Sequence, residues 1–146
     1  MKNHLKPQRV MQKYFISSRR LSLDFPLLIV RLALGAMMAF GHGMPKLNSF
    51  AQRKDSFPEI FGMDSSVTLI LAIFAEVFCS FLLAVGLLTR TALIFLIATM
   101  LVAVLLVHGD DPFSKQEVGL LYLVPYFFLY LVGPGKYSID NLILKK

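Results

Sequence analysis

Four apolar runs, separated by polar stretches of unequal length, organise the chain. They extend from Phe25 to about Gly41, from about Val67 to Leu88, from Thr91 to about His108, and from about Val118 to Gly133. Each comes close to the ~20 residues that cross a hydrocarbon core of ~30 Å. The first and fourth are short, and local thinning of the bilayer would accommodate them. The pattern predicts an all-α fold: an integral membrane bundle of four helices, with spans at about 25–41, 67–88, 91–108 and 118–133. The first run does not read as a cleaved leader. Its polar lead is too long, Arg31 interrupts it, and no small-residue cleavage site follows.

The connections refine this picture. Thr89 and Arg90 alone join the second and third runs, which requires a tight antiparallel hairpin. Gly109 to Glu117 forms a short link between the third and fourth. The long connection, roughly His42 to Ser66, mixes Phe50, Phe57, Pro58, Ile60, Phe61 and Met63 with polar residues. Such a mixture suits a partly interfacial loop or helix. Small residues four apart, Gly35 with Ala39, Ala75 with Cys79, and Ser80 with Ala84, would let helix backbones approach closely. After the fourth run, Gly133 and Pro134 stop the helix. Ser138 is placed as an N-cap with Asp140 in the first turn. Ile139, Leu142 and Ile143 would then face the membrane from a short surface helix, with Lys145 and Lys146 near lipid phosphates. The expected organisation is a basic cytoplasmic segment, 1–24, followed by a transmembrane domain, 25–143.

Composition agrees. Of 146 residues, 56% are hydrophobic, and the mean hydropathy is +0.66. A soluble domain of this size cannot bury that much apolar surface; a bilayer removes the need. The net charge of +6 sits outside the apolar runs and mostly near the two ends. It therefore marks a cytoplasmic membrane flank and not a nucleic-acid surface. Counting lysines and arginines around the runs puts ten on the side of the termini and four on the other. Both ends are expected in the cytoplasm. Cys79 is the only cysteine, so no intramolecular disulfide or paired-thiol redox chemistry is available.

Ionisable groups inside spans are costly and usually have a purpose. Arg31 lies ~9 Å from the inner end of its run and Glu76 ~14 Å from the outer end of its own, a depth difference of only ~7 Å in a ~30 Å core. They are expected to pair inside the bundle as a structural ion pair. A lone pair neutralises itself and forms no relay of titratable groups. At the outer ends, His42, Lys46, His108 and Glu117 fall at one depth and are the candidate polar pocket for a small ligand. No two of them are spaced as metal ligands on one helix, so no metal site is assigned. Tyr122 and Tyr126 stand four apart beside Pro125 and are candidates to line a ligand site. With Tyr130 they otherwise read as interhelical hydrogen-bonding residues.

Taken together in this order, several of these residues resemble the DoxX family of small prokaryotic membrane proteins. They are Arg31 with Leu34-Gly35, His42-Gly43 with Lys46-Leu47, Glu76, Gly86-Leu87-Leu88-Thr89-Arg90, His108, Glu117, and the run Gly133-Pro134-Gly135-Lys136-Tyr137-Ser138-Ile139-Asp140. The resemblance covers about residues 25–143, and the closing run is its most specific part. It implies a four-helix protein of the inner membrane. It also implies an accessory or assembly subunit of a membrane redox system, with a quinone as the compatible cofactor and other subunits or further copies of the chain as partners, besides the bilayer itself. The alternative is a small-solute transporter or ligand-binding protein using the outer polar pocket. No complete catalytic constellation marks the chain as an enzyme. The orientation is directly testable: a fluorescent protein fused after Lys146 should fold and fluoresce, and alkaline phosphatase inserted near Lys54 should be active. The reverse pattern would invert the topology.

Overall fold

The structure, a computed structural model, describes residues 22–145. The expected basic N-terminal segment, apart from its last three residues, and Lys146 lie outside the described residues. Six helices follow in order: α1 (Asp24–Asn48), α2 (Phe50–Arg53), α3 (Ser65–Val85), α4 (Thr89–Val107), α5 (Phe113–Val132) and α6 (Ile139–Leu144). No strand occurs among the described residues. Helices α1, α3 and α4 are long and apolar enough to cross a membrane. Helix α5 is the fourth long helix, at 20 residues. Lys115 and Glu117 sit near its start, and it is not among the helices long and apolar enough to cross a membrane, of which there are three among the described residues where four spans were expected.

Helix α1 packs on α3, α3 on α4, and α4 on α5. Leu27 and Met38 of α1, Leu83 of α3, Leu93 and Leu96 of α4, and Tyr126 and Leu129 of α5 meet in one buried core. Large apolar side chains such as Phe40, Phe81, Leu121 and Leu131 point outward, the arrangement that lipid permits and water penalises. The small-residue rows act where helices touch. A Cβ added at Gly35 would come within 2.6 Å of the Ser80 carbonyl oxygen and 2.9 Å of the Ala84 Cβ, so α1 and α3 are in backbone contact there.

Helix α1 runs further than its hydropathy suggests. It continues past Gly41 to Asn48 through a π-helical segment, Ala39–Gly43. Two similar segments interrupt α3 at Phe74–Cys79 and end α4 at Ala103–Val107. Those of α1 and α4 lie toward the end of the bundle that carries the 49–64 connection, hereafter the loop end, and that of α3 lies near mid-helix, beside Gly43 of α1. Each widens its helix by one residue, a distortion that often accompanies functional positions.

The opposite end, where the described residues begin and finish, hereafter the termini end, is tied into one junction. Gly86 ends α3 with φ +72°, and a side chain there would collide with the Arg31 guanidinium and the Ser138 Cβ. Leu88 also adopts a left-handed conformation, φ +48°, which costs a branched residue energy. Asp140 holds this turn. Its carboxylate accepts from the Leu88 N–H at 2.7 Å and the Thr89 N–H at 2.9 Å, capping α4 from a distant part of the chain. The Asp140 N–H in turn donates to the Gly86 carbonyl at 2.8 Å. Ser138 caps α6, as expected, by accepting from the Asn141 N–H. Asp24 accepts from the Lys136 N–H at 2.9 Å.

Burial alone would raise the Asp140 carboxyl. The hydrogen bonds from Thr89 and Leu88 and the charge of Arg31 outweigh it and hold the group below its ordinary value. Asp140→Ala is expected to cost about 1–2 kcal/mol, the scale of a lost helix cap. The carboxylate contributes fully above the ordinary aspartate range and ceases to contribute as pH falls through its lowered value. Melting midpoints of wild type and Asp140→Ala should therefore differ at neutral pH and converge in acid.

Candidate functional site

The expected Arg31–Glu76 pair does not form. Arg31 is fully buried, and its Nη2 donates to the Tyr137 carbonyl at 2.6 Å, in the junction at the termini end. Glu76 is instead level with Gly43, where an added Cβ would lie 2.9 Å from the Glu76 carbonyl oxygen. Arg31 is twelve residues along α1 from that level, about 18 Å at helical rise. The two charges are not ~7 Å apart in depth, because α1 does not stop at Gly41 but runs on to Asn48, which shifts its register against α3.

The partner of Glu76 is Lys46. Its Nζ donates to Oε1 at 2.9 Å and to Oε2 at 2.6 Å. The Glu76 side chain is 5% exposed and the Lys46 side chain 19%. Continuation of α1 past Gly43 is what brings Lys46 over the π-helical segment of α3. The sequence carried one signal of this: Pro45 is tolerated in the first turn after a break and does not end a helix there.

The ion pair forms part of the wall of a cavity of about 420 Å³ between α3 and α4. Phe57, Ile60 and Phe61 of the long connection line its loop end, and Phe74 and Phe95 line it deeper in. The last two rings meet edge to face at 5.4 Å. Leu71, Phe74, Phe95 and Ala98 both line the cavity and are exposed on the outer surface of the bundle. The cavity therefore opens sideways, where lipid would lie. Two hydroxyls on the wall are already committed as donors: Thr68 Oγ1 to the Asp64 carbonyl at 3.2 Å and Thr99 Oγ1 to the Phe95 carbonyl at 2.9 Å. They present only lone pairs to an occupant.

A second cavity, about 250 Å³, lies among α1, α4 and α5 and is lined by His42, Lys115 and Tyr122. The His42 and Tyr122 rings meet edge to face at 5.5 Å. His108 lines both cavities. Its Nδ1 is 2.8 Å from Asp111 Oδ2, and Lys115 Nζ donates to Asp111 Oδ1 at 3.1 Å. The hydrogen bond to His108, then that from Lys115, hold the Asp111 carboxyl below its ordinary value.

The four residues expected to form one outer pocket are thus divided. Lys46 belongs to the first cavity, His42 to the second, and His108 to both; Glu117 is exposed and lines neither. Of the two tyrosines expected to line a ligand site, Tyr122 does so in the second cavity. Tyr126 is fully buried in the core and lines neither of these cavities. No cluster of three or more histidine, cysteine, aspartate or glutamate side chains suited to a metal occurs among the described residues.

The DoxX family profile matches residues 26–109, from the start of α1 to just beyond α4. The chain belongs to the DoxX family. It is also similar to an uncharacterized protein of Haemophilus influenzae, 34% identical over 127 residues, which covers 82% of this chain and 83% of that protein. No solved structure matches it. This DoxX protein is accordingly an integral membrane protein, and the cavity beside Lys46 and Glu76 lies inside the matched region. The 133–140 run lies beyond the profile match, and here its part is visible: it closes the termini end around Arg31 and the α3–α4 turn.

Breaking the buried pair should be costlier than removing it. Lys46→Leu or Glu76→Leu leaves a charge without its partner and is expected to destabilise by about 3 kcal/mol. The double variant should regain much of that loss in thermal unfolding in detergent. A double variant no more stable than either single one would dissociate the pair from stability.

Proposed function

We propose that this DoxX protein sits in the inner membrane with both ends in the cytoplasm and binds a lipid-soluble ligand with a quinone-type head group. In this reading it serves as an accessory subunit of a membrane redox system. The observation that carries the reading is the apolar, aromatic cavity with one neutralised ion pair in its wall. Two of the three Lys46 N–H groups go to Glu76, leaving one donor for an occupant. The pair has no net charge, so an anionic head would meet Glu76 and a cationic one Lys46. A neutral carbonyl acceptor on a flat ring meets neither penalty and can stack or pack edge-on against Phe74 and Phe95. The sideways opening suits a ligand that partitions into lipid, and about 420 Å³ is within the usual range for small-molecule sites. An accessory role fits a chain whose single cysteine, Cys79, is buried. A solute transporter is the less favoured reading, because the Arg31–Asp140 junction fills the end of the bundle opposite the cavities.

The chain has no tryptophan, so Phe95→Trp supplies a single fluorophore in the cavity wall. In nanodiscs, a short-chain ubiquinone or menaquinone analogue should quench it saturably at micromolar concentration. Ala72→Phe, which fills the cavity, should weaken the apparent affinity at least about tenfold, the equivalent of ~1.4 kcal/mol. Quenching that rises linearly with quinone in lipid and ignores Ala72→Phe would overturn the reading.

A further inference from the structure

The connection between α2 and α3 meets the cavity beneath it through side chains more than through backbone. Of the N–H groups from Asp55 to Met63, two donate to backbone carbonyls among the described residues: Ser56 to Arg53 and Met63 to Ile60, each at 3.1 Å. The side chains do more. Phe57, Ile60, Phe61 and Met63 all line the loop end of the first cavity. Ile60 is buried at 8% exposure, and Phe57 and Met63 are half-buried on either side of it in sequence. Glu59 and Gly62, between them, are exposed.

The hydrogen bond from Met63 to Ile60 closes a four-residue turn. Both of its central residues are left-handed, Phe61 at φ +54° and Gly62 at φ +74°. Positive φ at both positions is the pattern of a type I′ turn. Glycine takes the second position freely. The first favours asparagine, aspartate or glycine, and a bulky side chain there carries backbone strain. The Phe61 ring does not offset that strain by burial, since the residue is 79% exposed. The two ends of the turn do: Ile60 and Met63 lie side by side across it, and both enter the cavity wall. Strained backbone persists where its surroundings hold it, and such positions gather at ligand clamps.

We infer that the Ile60–Met63 turn determines specificity by route: it seals the cavity against water and leaves it open to lipid. Arg53, Lys54, Asp55 and Glu59 are exposed at the loop end, the end that such charged residues place in water. There Ile60, with Phe57 and Met63, closes the cavity. Between α3 and α4, Leu71, Phe74, Phe95 and Ala98 leave it open on the side that lipid covers. The site therefore takes amphiphiles delivered from the bilayer and excludes water-soluble compounds with the same head group. Keeping water out also strengthens the hydrogen bonds of Lys46 to Glu76, because the local dielectric is low. The seal is held shut by side-chain packing against backbone strain. It should loosen when the Ile60 side chain is removed, or when Gly62 loses its conformational freedom. This holds for any occupant and does not rest on the quinone-type reading.

The test compares two quenchers of the Phe95→Trp protein in nanodiscs. Phospholipids brominated on their chains should quench the introduced indole, and acrylamide dissolved in water should scarcely reach it. Adding Ile60→Gly should raise the acrylamide quenching constant severalfold and shift the emission to the red. Quenching by brominated lipid should persist, which shows that the bundle is still assembled. Gly62→Val loosens the turn without touching the cavity. A Cβ at Gly62 meets nothing within 4 Å, so the effect comes from the backbone conformation alone, and acrylamide quenching should again rise. Phe61→Asn, which suits a left-handed position, should keep acrylamide out and raise the melting temperature. Strong acrylamide quenching of the Phe95→Trp protein itself would overturn the inference. So would no rise with either Ile60→Gly or Gly62→Val while brominated lipid still quenches. Neither result depends on whether a quinone binds, so the head-group reading stands or falls separately.

Discussion

A fully buried guanidinium fixes the arrangement of this bundle. Arg31 is an expensive residue to enclose, and its position is acceptable only where other parts of the chain supply acceptors and opposite charge. One acceptor and one opposite charge come from the far end of the sequence: the Tyr137 carbonyl accepts from Nη2, and Asp140 lies near enough to attract the guanidinium, while Nε and Nη1 are buried with no partner among the described residues. The same aspartate caps α4 and pins the left-handed Leu88 turn. One charge on α1 thus ties together α1, the α3–α4 hairpin and α6. The absence of a side chain at Gly86 makes the space for it.

With the termini end closed, departures from regular helix fall toward the loop end of α1 and α4 and in the middle of α3. The three π-helical segments lie where α1, α3 and α4 surround the cavities. Gly43 lets α1 touch α3 at the Glu76 backbone, and one turn later Lys46 reaches the Glu76 carboxylate. The two buried charge systems therefore have different work. Arg31 joins elements at the junction, whereas the Lys46–Glu76 pair brings a neutralised polar patch to an otherwise apolar cavity.

Much of the candidate site was legible residue by residue, and little of it pair by pair. Lys46, Glu76, His108 and Tyr122 each stand out as polar groups in or beside apolar runs, because lipid makes such residues costly. Their partners did not stand out. Matching Arg31 with Glu76 needs the relative register of two helices to within about a turn, and hydropathy locates helix ends no better than that. Phe57 and Phe61 of the 49–64 connection read as interfacial, which is compatible with their lining the cavity, but nothing local indicates which helices they cover. Glu117 and Tyr126 looked equivalent to their neighbours in sequence and were separated from the cavities by the rotation of α5.

The sequence by itself determined the class of fold, the approximate spans, the hairpin between α3 and α4, the small-residue contact at Gly35, and the Ser138 cap. These follow from hydrophobic length, steric size and local hydrogen bonding, which are properties of short segments. Only the tertiary structure decided that α1 continues past two glycines, that Asp140 caps a helix some fifty residues earlier, and that Glu76 pairs with Lys46. Each depends on how far one helix slides and turns against another, and that is set by the sum of many packing contacts and not by any residue's own preference.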